Sequence, residues 1–145
     1  MNTSINPISG KSLLFLTSLT ILLFCSCAHK ITFQQSSVVP AAQGTVKIKK
    51  DKNDNYSIVV NVEHLAGPER LTPAAATYIV WVETSDHQNK NIGQLKSSSN
   101  WLSKTLKGSL QSTTPFHPLR VFMTAENDAA ISFPSGHMVL TTNPL

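Results

Sequence analysis

The sequence predicts an all-β domain, an immunoglobulin-like antiparallel sandwich of about seven strands preceded by a signal segment. Two observations carry the fold prediction. Short runs in which apolar and polar residues alternate recur from Gly44 onwards, and clusters of Gly, Pro, Asn and Asp separate them at nearly regular intervals. In addition, Trp81 lies on a run that is apolar on both faces, as expected of a central strand.

The first two predicted strands form a hairpin. Their alternating apolar positions are Val46 and Ile48 in the first run and Tyr56, Ile58, Val60 and Val62 in the second. The run 50–55 between them is rich in Asp and Asn, which favour turns. Two alternating runs around such a turn are typical of a β-hairpin.

Two longer apolar runs, residues 77–82 and 119–126, are predicted as the central strands. A strand buried on both faces reads as a nearly continuous apolar run, because neither face has to be compatible with water. The residues expected in the core are Tyr78, Val80, Val82, Val121 and Met123. The face that Trp81 covers is left open by the pattern.

The remaining elements are shorter. A strand is expected over 92–95 and a last one over 138–142, whereas residues 97–100 interrupt the pattern. Residues 102–110 are compatible with a strand or a helix, since leucines at every fourth position suit both periods. The Thr, Ser and Gly residues between these leucines favour a strand. The leucines are Leu102, Leu106 and Leu110.

The N-terminal segment has the parts of a secretion signal. One cation, Lys11, precedes an apolar run over 13–24, and the small residue Ser26 stands directly before Cys27. The run is far short of the ~20 apolar residues that cross a bilayer as a helix. A signal that ends Ser-Cys resembles that of bacterial lipoproteins, in which cleavage leaves a cysteine that carries lipid.

This resemblance divides the chain into three parts: a lipoprotein signal peptide over 1–26, a tether over 27–43 and the sandwich domain over 44–145. It implies lipidation of Cys27 and a place in the bacterial cell envelope, most simply at the outer membrane. The membrane is then the first partner of the protein, through the lipid.

The chain has two cysteines, Cys25 and Cys27. Cleavage before Cys27 discards Cys25, whereas Phe24 is too bulky to precede a cleavage site. The mature domain is therefore expected to have no structural disulfide, no thiolate metal site and no cysteine nucleophile.

The net charge of +4 falls to +3 when Lys11 is removed with the signal. Such a small excess gives no reason to expect nucleic acid as a partner. Part of it lies in one run, interpreted as a solvated face or as protection of a sheet edge. This run contains Lys47, Lys49, Lys50 and Lys52.

A set of spaced motifs adds a family resemblance. The motifs are Tyr78-x-x-Trp81, Ile92-Gly93-x-Leu95, Phe122-x-Thr124-x-Glu126, Pro134-x-Gly136 and Val139-Leu140. With these motifs the chain resembles the extracytoplasmic β-domain of anti-sigma-K-factor-like proteins and small uncharacterised lipoproteins of Bacteroidetes-type bacteria. The resemblance implies an envelope-facing sandwich. It implies no anti-sigma activity, which belongs to a cytoplasmic domain that has no counterpart in this sequence.

One string resembles an enzyme motif. Pro134-Ser135-Gly136-His137 matches the central motif of type 2 phosphatidic-acid phosphatases, in which the histidine is a general acid. That chemistry also needs a second histidine with an arginine partner and a Lys-plus-Arg clamp on the phosphate. Neither His nor Arg follows His137. The string is therefore interpreted as a turn that enters the last strand, with His137 on its outer face.

Metal binding is also considered, because the domain carries several imidazole and thioether groups. They belong to His64, His87, His117, His137, Met123 and Met138. No two histidines have the His-x-His or His-x3-His spacing that places two ligands on one face. Asp51-x-Asn53-x-Asn55 imitates an EF-hand loop, but Tyr56 and Val62 replace its glycine and its last carboxylate. Neither a metal site nor a cofactor is predicted.

Two pairs of acids follow the central strands, Glu83 with Asp86 and Glu126 with Asp128. On antiparallel neighbours these pairs would lie at opposite edges or be separated by a strand, so they give no argument for a paired-carboxylate glycosidase site. They are interpreted as solvated loop acids.

The sequence names no catalytic residue, and three functions stay open. The first is a non-catalytic binding or structural module that contacts an envelope protein, a glycan or another ligand through loops such as 115–118 and 127–128. The second is an envelope hydrolase with a loop-built site that includes His137, and the third is a metal-binding lipoprotein. Convergence of the histidines in one polar pocket favours the second and third, and histidines on separate faces favour the first.

Overall fold

A computed structural model describes residues 29–99 and 106–145 of the chain. These residues form nine antiparallel strands and a 3-10 turn at Pro68–Arg70, and they contain no α-helix. The strands are β1 (His29–Thr32), β2 (Gln43–Lys50), β3 (Tyr56–Leu65), β4 (Thr77–Thr84), β5 (Asn89–Gln94), β6 (Lys96–Ser99), β7 (Leu106–Thr114), β8 (Pro118–Glu126) and β9 (His137–Thr141). The proposed signal segment, Cys27 and Leu102 lie outside the described residues. No helix among the described residues is long and apolar enough to cross a membrane.

The strands form two antiparallel sheets. The five-stranded sheet has the order β1-β2-β3-β7-β6, and the four-stranded sheet has the order β5-β4-β8-β9. The sheets enclose one apolar core, which confirms the all-β prediction. All five predicted core side chains are buried in it: Tyr78, Val80, Val82, Val121 and Met123.

The predicted hairpin is confirmed as β2–β3, with Lys50 paired to Tyr56 at its closed end. In the turn, the Oδ1 atom of Asp51 accepts the backbone N–H groups of Asn53 at 2.7 Å and of Asn55 at 2.9 Å. The carboxylate is thus used to hold the turn, as Asp commonly does. This accounts for the Asp/Asn run without calcium.

Residues 106–110 belong to β7, so the preference for a strand is confirmed for Leu106 and Leu110. The prediction missed β6, where residues 97–100 were expected to interrupt the pattern. β6 is a short edge strand that pairs with β7 alone. Because serines make up most of it, it lacks the apolar alternation on which the prediction depended.

The predicted tether is wrong for the described part of residues 27–43. β1 pairs with β2 and places Ile31 opposite Val46, at the border of the core. After β1 the chain crosses the edge of the core, where Val39 and Ala42 are buried. These apolar residues lie on a coil, so their spacing shows no period. β2 is therefore not an edge strand, and its lysines do not protect an edge.

Trp81 lies on the outer face of the four-stranded sheet. There it forms a second, smaller apolar cluster with Ile79 and Phe122, against which Ile131 packs. Segment 127–136 covers this cluster, and the amide of Asn91 on β5 donates to the carbonyls of Ala129 and Ile131. The covering segment explains why both faces of β4 are apolar.

The side chains at the start of β9 point to other faces of the sheet than predicted. A β-bulge shifts the pairing, so that Leu140 is opposite Met123 while Met138 is opposite Thr124. Met138 therefore lies on the outer face of the sheet and is 46% exposed. His137 is opposite Ala125, whose side chain belongs to the core. It therefore lies on the core side of the sheet and not on the outer face, although at the start of the strand it is exposed.

Candidate functional site

The outer face of the four-stranded sheet carries a groove beside the covering segment. The cavity encloses about 330 Å³, within the usual range for small ligand sites. We call it the outer groove, and its lining residues are Glu83, His87, Asn89, Arg120, Phe122, Thr124, Pro134, Gly136 and Met138. It combines a charged end, an aromatic floor and a wall formed by the turn that precedes β9.

The charged end is built on the register of β4 and β8, which places Glu83 opposite Arg120. The Nε atom of Arg120 donates to Oε2 of Glu83 at 2.7 Å, and Nη2 contacts the same oxygen. Nδ1 of His87 lies 2.9 Å from Oε1. The hydrogen bonds from His87 and from Arg120 hold the pKa of Glu83 below its ordinary value of 4.5. Because Arg120 stays 38% exposed, it presents a fixed cation to the groove.

The floor is aromatic. The ring of Phe122 lies nearly parallel to that of Trp81, with the centroids 6.3 Å apart and an angle of 13° between the planes. Phe122 is only 3% exposed, whereas Phe133 on the covering segment is 72% exposed. Phe133 does not line the groove, so the groove itself offers the flexible side chain of Met138 rather than an open aromatic face.

A chain of hydrogen bonds fixes the wall. Nε1 of Trp81 donates to Oγ1 of Thr124 at 2.8 Å, and this hydroxyl donates to Oε1 of Glu126 at 2.7 Å. Glu126 also accepts the backbone N–H groups of Ser135 and Gly136, each at 3.0 Å, and the hydroxyl of Ser135 at 2.9 Å. The buried carboxylate therefore holds the turn 134–136 against the sheet.

The ionisation of Glu126 follows from these contacts. Burial raises its pKa, but the hydrogen bonds from Thr124, Gly136 and Ser135 together outweigh burial and leave the pKa below 4.5. A carboxylate with a lowered pKa is a weak base near neutral pH. The pKa of Glu83 is lowered as well, so Glu83 is also a weak base near neutral pH. Both groups are suited to fixing structure rather than to moving protons.

The predicted loop acids are corrected accordingly. Glu83 and Glu126 lie on strands and are buried, because each carboxylate is surrounded by donors from a neighbouring strand or turn. Asp86 and Asp128 are exposed, as expected. The two buried acids are at opposite ends of the β4–β8 pair, since Glu126 is opposite Thr77 and Glu83 opposite Arg120. This placement confirms that the two central-strand acids lie at opposite edges.

The four predicted histidines have different surroundings. His87 contacts Glu83, and the ring of His117 meets the edge of Tyr56 at a centroid distance of 5.3 Å. His64 ends the regular part of β3 with a positive φ of 58°. His137 lines a separate cavity of about 250 Å³ beside Glu126. Throughout residues 29–99 and 106–145, no group of three His, Cys, Asp or Glu side chains is placed to hold a metal ion.

The phosphatase-like string is a turn, as the sequence predicted. Its serine and glycine are bound by Glu126. The two arginines do not converge on His137, because Arg120 binds Glu83 and Arg70 lies 3.6 Å from Glu69.

A further cavity, of about 440 Å³, lies where β1 passes into coil beside β2. Its lining carries no charged side chain. A ligand there would be oriented by uncharged groups alone. The outer groove is therefore the better candidate, since it alone of the two has a fixed cation and an anchored wall.

No protein-family model, no curated protein and no solved structure matches the chain. The candidate site therefore rests on its geometry. Four residues of the resemblance motifs, Trp81, Thr124, Glu126 and Gly136, belong to the one hydrogen-bonded chain that holds the groove wall. The motif spacing thus contained a signal for the groove, although Arg120 and Phe122 were not recognised as its residues.

Acid stability is expected to depend on Glu126. Its pKa is lower in the folded state than the 4.5 of a free side chain, so its stabilising effect is complete above about pH 4.5 and is lost as the pH falls through the folded pKa. We expect Glu126→Gln to cost about 1–2 kcal/mol at pH 7 and clearly less at pH 3. Urea unfolding at both pH values measures this difference. An equal cost at both would contradict a stabilising role for the charge.

Proposed function

We propose that this protein is a lipid-anchored component of the bacterial envelope whose β-domain is a non-catalytic binding module. The outer groove is the observation that carries the binding role. Its polar groups are paired with one another, and no buried side-chain nitrogen or oxygen among the described residues lacks a hydrogen-bond partner. Such a surface is preorganised for recognition.

We also propose that the domain is immunoglobulin-like. With β2 taken as the first strand of that fold, the order β2-β3-β7-β6 corresponds to A-B-E-D, and β5-β4-β8-β9 corresponds to C′-C-F-G. These orders support the assignment, and β1 is then an additional edge strand. One feature differs, since the tryptophan of antibody domains packs inside the core whereas Trp81 packs on the outside.

The partner that suits the outer groove best is a protein segment with an apolar side chain and a carboxylate. Met138 is a flexible apolar contact that adapts to different side chains. Arg120 can receive a carboxylate in a planar, paired geometry. A glycan fits less well, because the one aromatic ring of the groove, Phe122, is buried under its neighbours.

The partner is tested by affinity capture from cells that produce the full-length protein. We expect Met138→Lys to reduce capture of the partner at least ten-fold, because it puts a solvated cation at an apolar contact. The substitution is on an exposed position, so the fold should be unchanged. Circular dichroism and the thermal midpoint verify that it is.

Phe116→Ser is the matched control. Phe116 is 43% exposed, similar to Met138, but it lies in the loop between β7 and β8, where Lys90 covers its ring. Capture should be unaffected by this change. Loss of the partner with Phe116→Ser, while Met138→Lys retains it, would place binding on the 115–118 loop and contradict the groove.

Anchoring is tested separately with Cys27→Ala. If Cys27 carries the lipid, the variant should lose most of its membrane association once the signal is removed, because the acyl chains supply the membrane affinity. Fractionation with immunoblotting measures the distribution. Equal membrane association of the two proteins would contradict the anchor. The variant Ser26→Ala, which changes the residue directly before Cys27, controls for damage to the signal itself.

The alternatives have less support. A hydrolase built around His137 needs a second catalytic group beside it, and its described neighbour Glu126 is committed to the 134–136 turn. Turnover of a phosphoester that His137→Ala abolishes, with the fold intact, would overturn the binding proposal. A metal-binding role would need convergent ligands, and no three His, Cys, Asp or Glu side chains of the described residues are placed together.

A further inference from the structure

Five lysines lie on β1, on β2 and in the turn that follows β2. Lys30 lies on β1, Lys47 and Lys49 alternate on β2, and Lys50 and Lys52 border the adjoining turn. We call this set the lysine strip. Lys30, Lys47 and Lys49 are exposed on the outer face of the five-stranded sheet, since their neighbours Ile31, Val46 and Ile48 point towards the core.

The arrangement is unfavourable for the isolated fold. Lys30 is directly opposite Lys47 in the β1–β2 ladder, and like charges at such positions are destabilising. In the described part of the chain, no carboxylate lies within ion-pair distance of Lys30, Lys47 or Lys49. By contrast, Lys107 on the same sheet face is paired with Glu63 at 2.9 Å. Edge protection explains Lys30 at most, because β2 is an inner strand.

The strip also holds the whole net charge of the mature chain. Its five lysines and the two acids nearby in the sequence, Asp51 and Asp54, sum to a charge of +3. The rest of the sequence after Cys27 has six basic and six acidic side chains and is neutral. The excess positive charge is therefore not distributed over the whole surface, as solubility alone would allow. It is concentrated at one end of the five-stranded sheet.

That end is where the chain leaves towards Cys27. His29 is the first residue of β1 and pairs with Ile48, so Cys27 precedes the sheet by only two residues. Two residues reach at most about 7 Å, which is less than the screening length of about 8–10 Å in physiological salt. A lipid on Cys27 would thus hold the strip within electrostatic range of the headgroups.

We propose that the lysine strip lies against anionic phospholipid headgroups and orients the domain on the membrane beside its lipid, an inference that rests on the lipid anchor proposed above. Lipid chains combined with a basic patch anchor proteins more firmly than either signal alone. Each lysine near an anionic surface strengthens the attraction about five-fold. The outer groove belongs to the other sheet, so it stays available to a partner.

The test uses the mature protein, purified from membranes and reconstituted into vesicles of phosphatidylcholine alone or mixed with phosphatidylglycerol. A water-soluble amine reagent modifies the lysines, and mass spectrometry gives the rate at each position. We expect modification of Lys30, Lys47 and Lys49 to slow about five-fold in the anionic vesicles at low salt and to recover at high salt. Lys96 and Lys107, on the far strands of the same face, are the internal controls and should change little.

The same digest shows whether Cys27 carries lipid, which separates the two proposals. A lipidated protein whose strip reacts equally in both vesicles would overturn the lysine proposal and leave the anchor standing. Equal protection in neutral vesicles would overturn it too, because contact would then not depend on charge. A mature protein without lipid on Cys27 would contradict both. A second measurement uses Lys47→Gln with Lys49→Gln, which should restore most of the reactivity of Lys30 in anionic vesicles.

Discussion

Replacing Gly136 by alanine is expected to destabilise the domain by at least about 3 kcal/mol, the upper part of the range for inserting atoms into a packed site. A Cβ at this position would lie 1.7 Å from the carbonyl oxygen of Ala125 and 3.0 Å from Oε2 of Glu126. Both are fixed, the first by the β8 backbone and the second by its hydrogen bonds. The turn can make room only by giving up the bonds from Ser135 and Gly136 to Glu126.

Gly67→Ala is the matched control. A Cβ there would come within 2.1 Å of Oε1 of Glu69, but that carboxylate ends a flexible side chain that is 67% exposed and can move away. We expect a change below about 1 kcal/mol. Urea unfolding of the two variants gives the comparison. Similar stabilities of Gly136→Ala and Gly67→Ala would contradict the tight packing of the turn on β8.

The sequence was most informative for strands whose own residues carry an apolar pattern, on one face or on both. The β2–β3 hairpin and the central strands β4 and β8 follow from alternation or from continuous apolar runs, and their core residues are as predicted. These patterns are local, because successive side chains of a strand point to its two faces in turn and each face is read from the strand's own residues. Even the strand preference for Leu106 and Leu110 depended only on the residues beside them.

Elements that lie at edges or depend on distant contacts could not be predicted in this way. β1 and β6 are edge strands with few apolar residues, so neither has a clear pattern. The bulge in β9 reverses the facing of Met138, and nothing in the local sequence marks it. Placement of Trp81 on the outer face depends on segment 127–136, which lies more than 40 residues later in the chain.

The same reason explains why the candidate site was seen only in part. Glu83 and Glu126 looked like loop acids because they end apolar runs, and their burial results from Arg120 on another strand and from the 134–136 turn. In the resemblance motifs, however, Trp81, Thr124, Glu126 and Gly136 already appeared together. Spaced polar residues inside strands can thus mark a network whose geometry only the fold reveals.

Trp81→Ala should cost about 3–5 kcal/mol, the usual range for removing a buried aromatic side chain. Trp81 is fully buried although it lies outside the main core. Its indole packs on Phe122, supports Ile131 of the covering segment and donates the first hydrogen bond of the chain to Thr124. Its removal leaves a cavity and frees the segment that forms the groove wall.

The effect should be local as well as global. In Trp81→Ala, amide hydrogen exchange is expected to accelerate first at Ser135 and Gly136. Their N–H groups donate to the carboxylate of Glu126, and Trp81 positions this carboxylate through the hydroxyl of Thr124. Trp81→Phe keeps most of the apolar contact but loses the indole N–H and part of the ring, so its cost should be nearer 1–2 kcal/mol. Urea unfolding gives the loss of unfolding free energy in each variant, and hydrogen exchange measured by mass spectrometry locates the change. If Trp81→Ala costs no more than Trp81→Phe and leaves segment 127–136 protected, the hydrogen bonds of Glu126 and Asn91 hold the segment and the aromatic cluster contributes little to the groove.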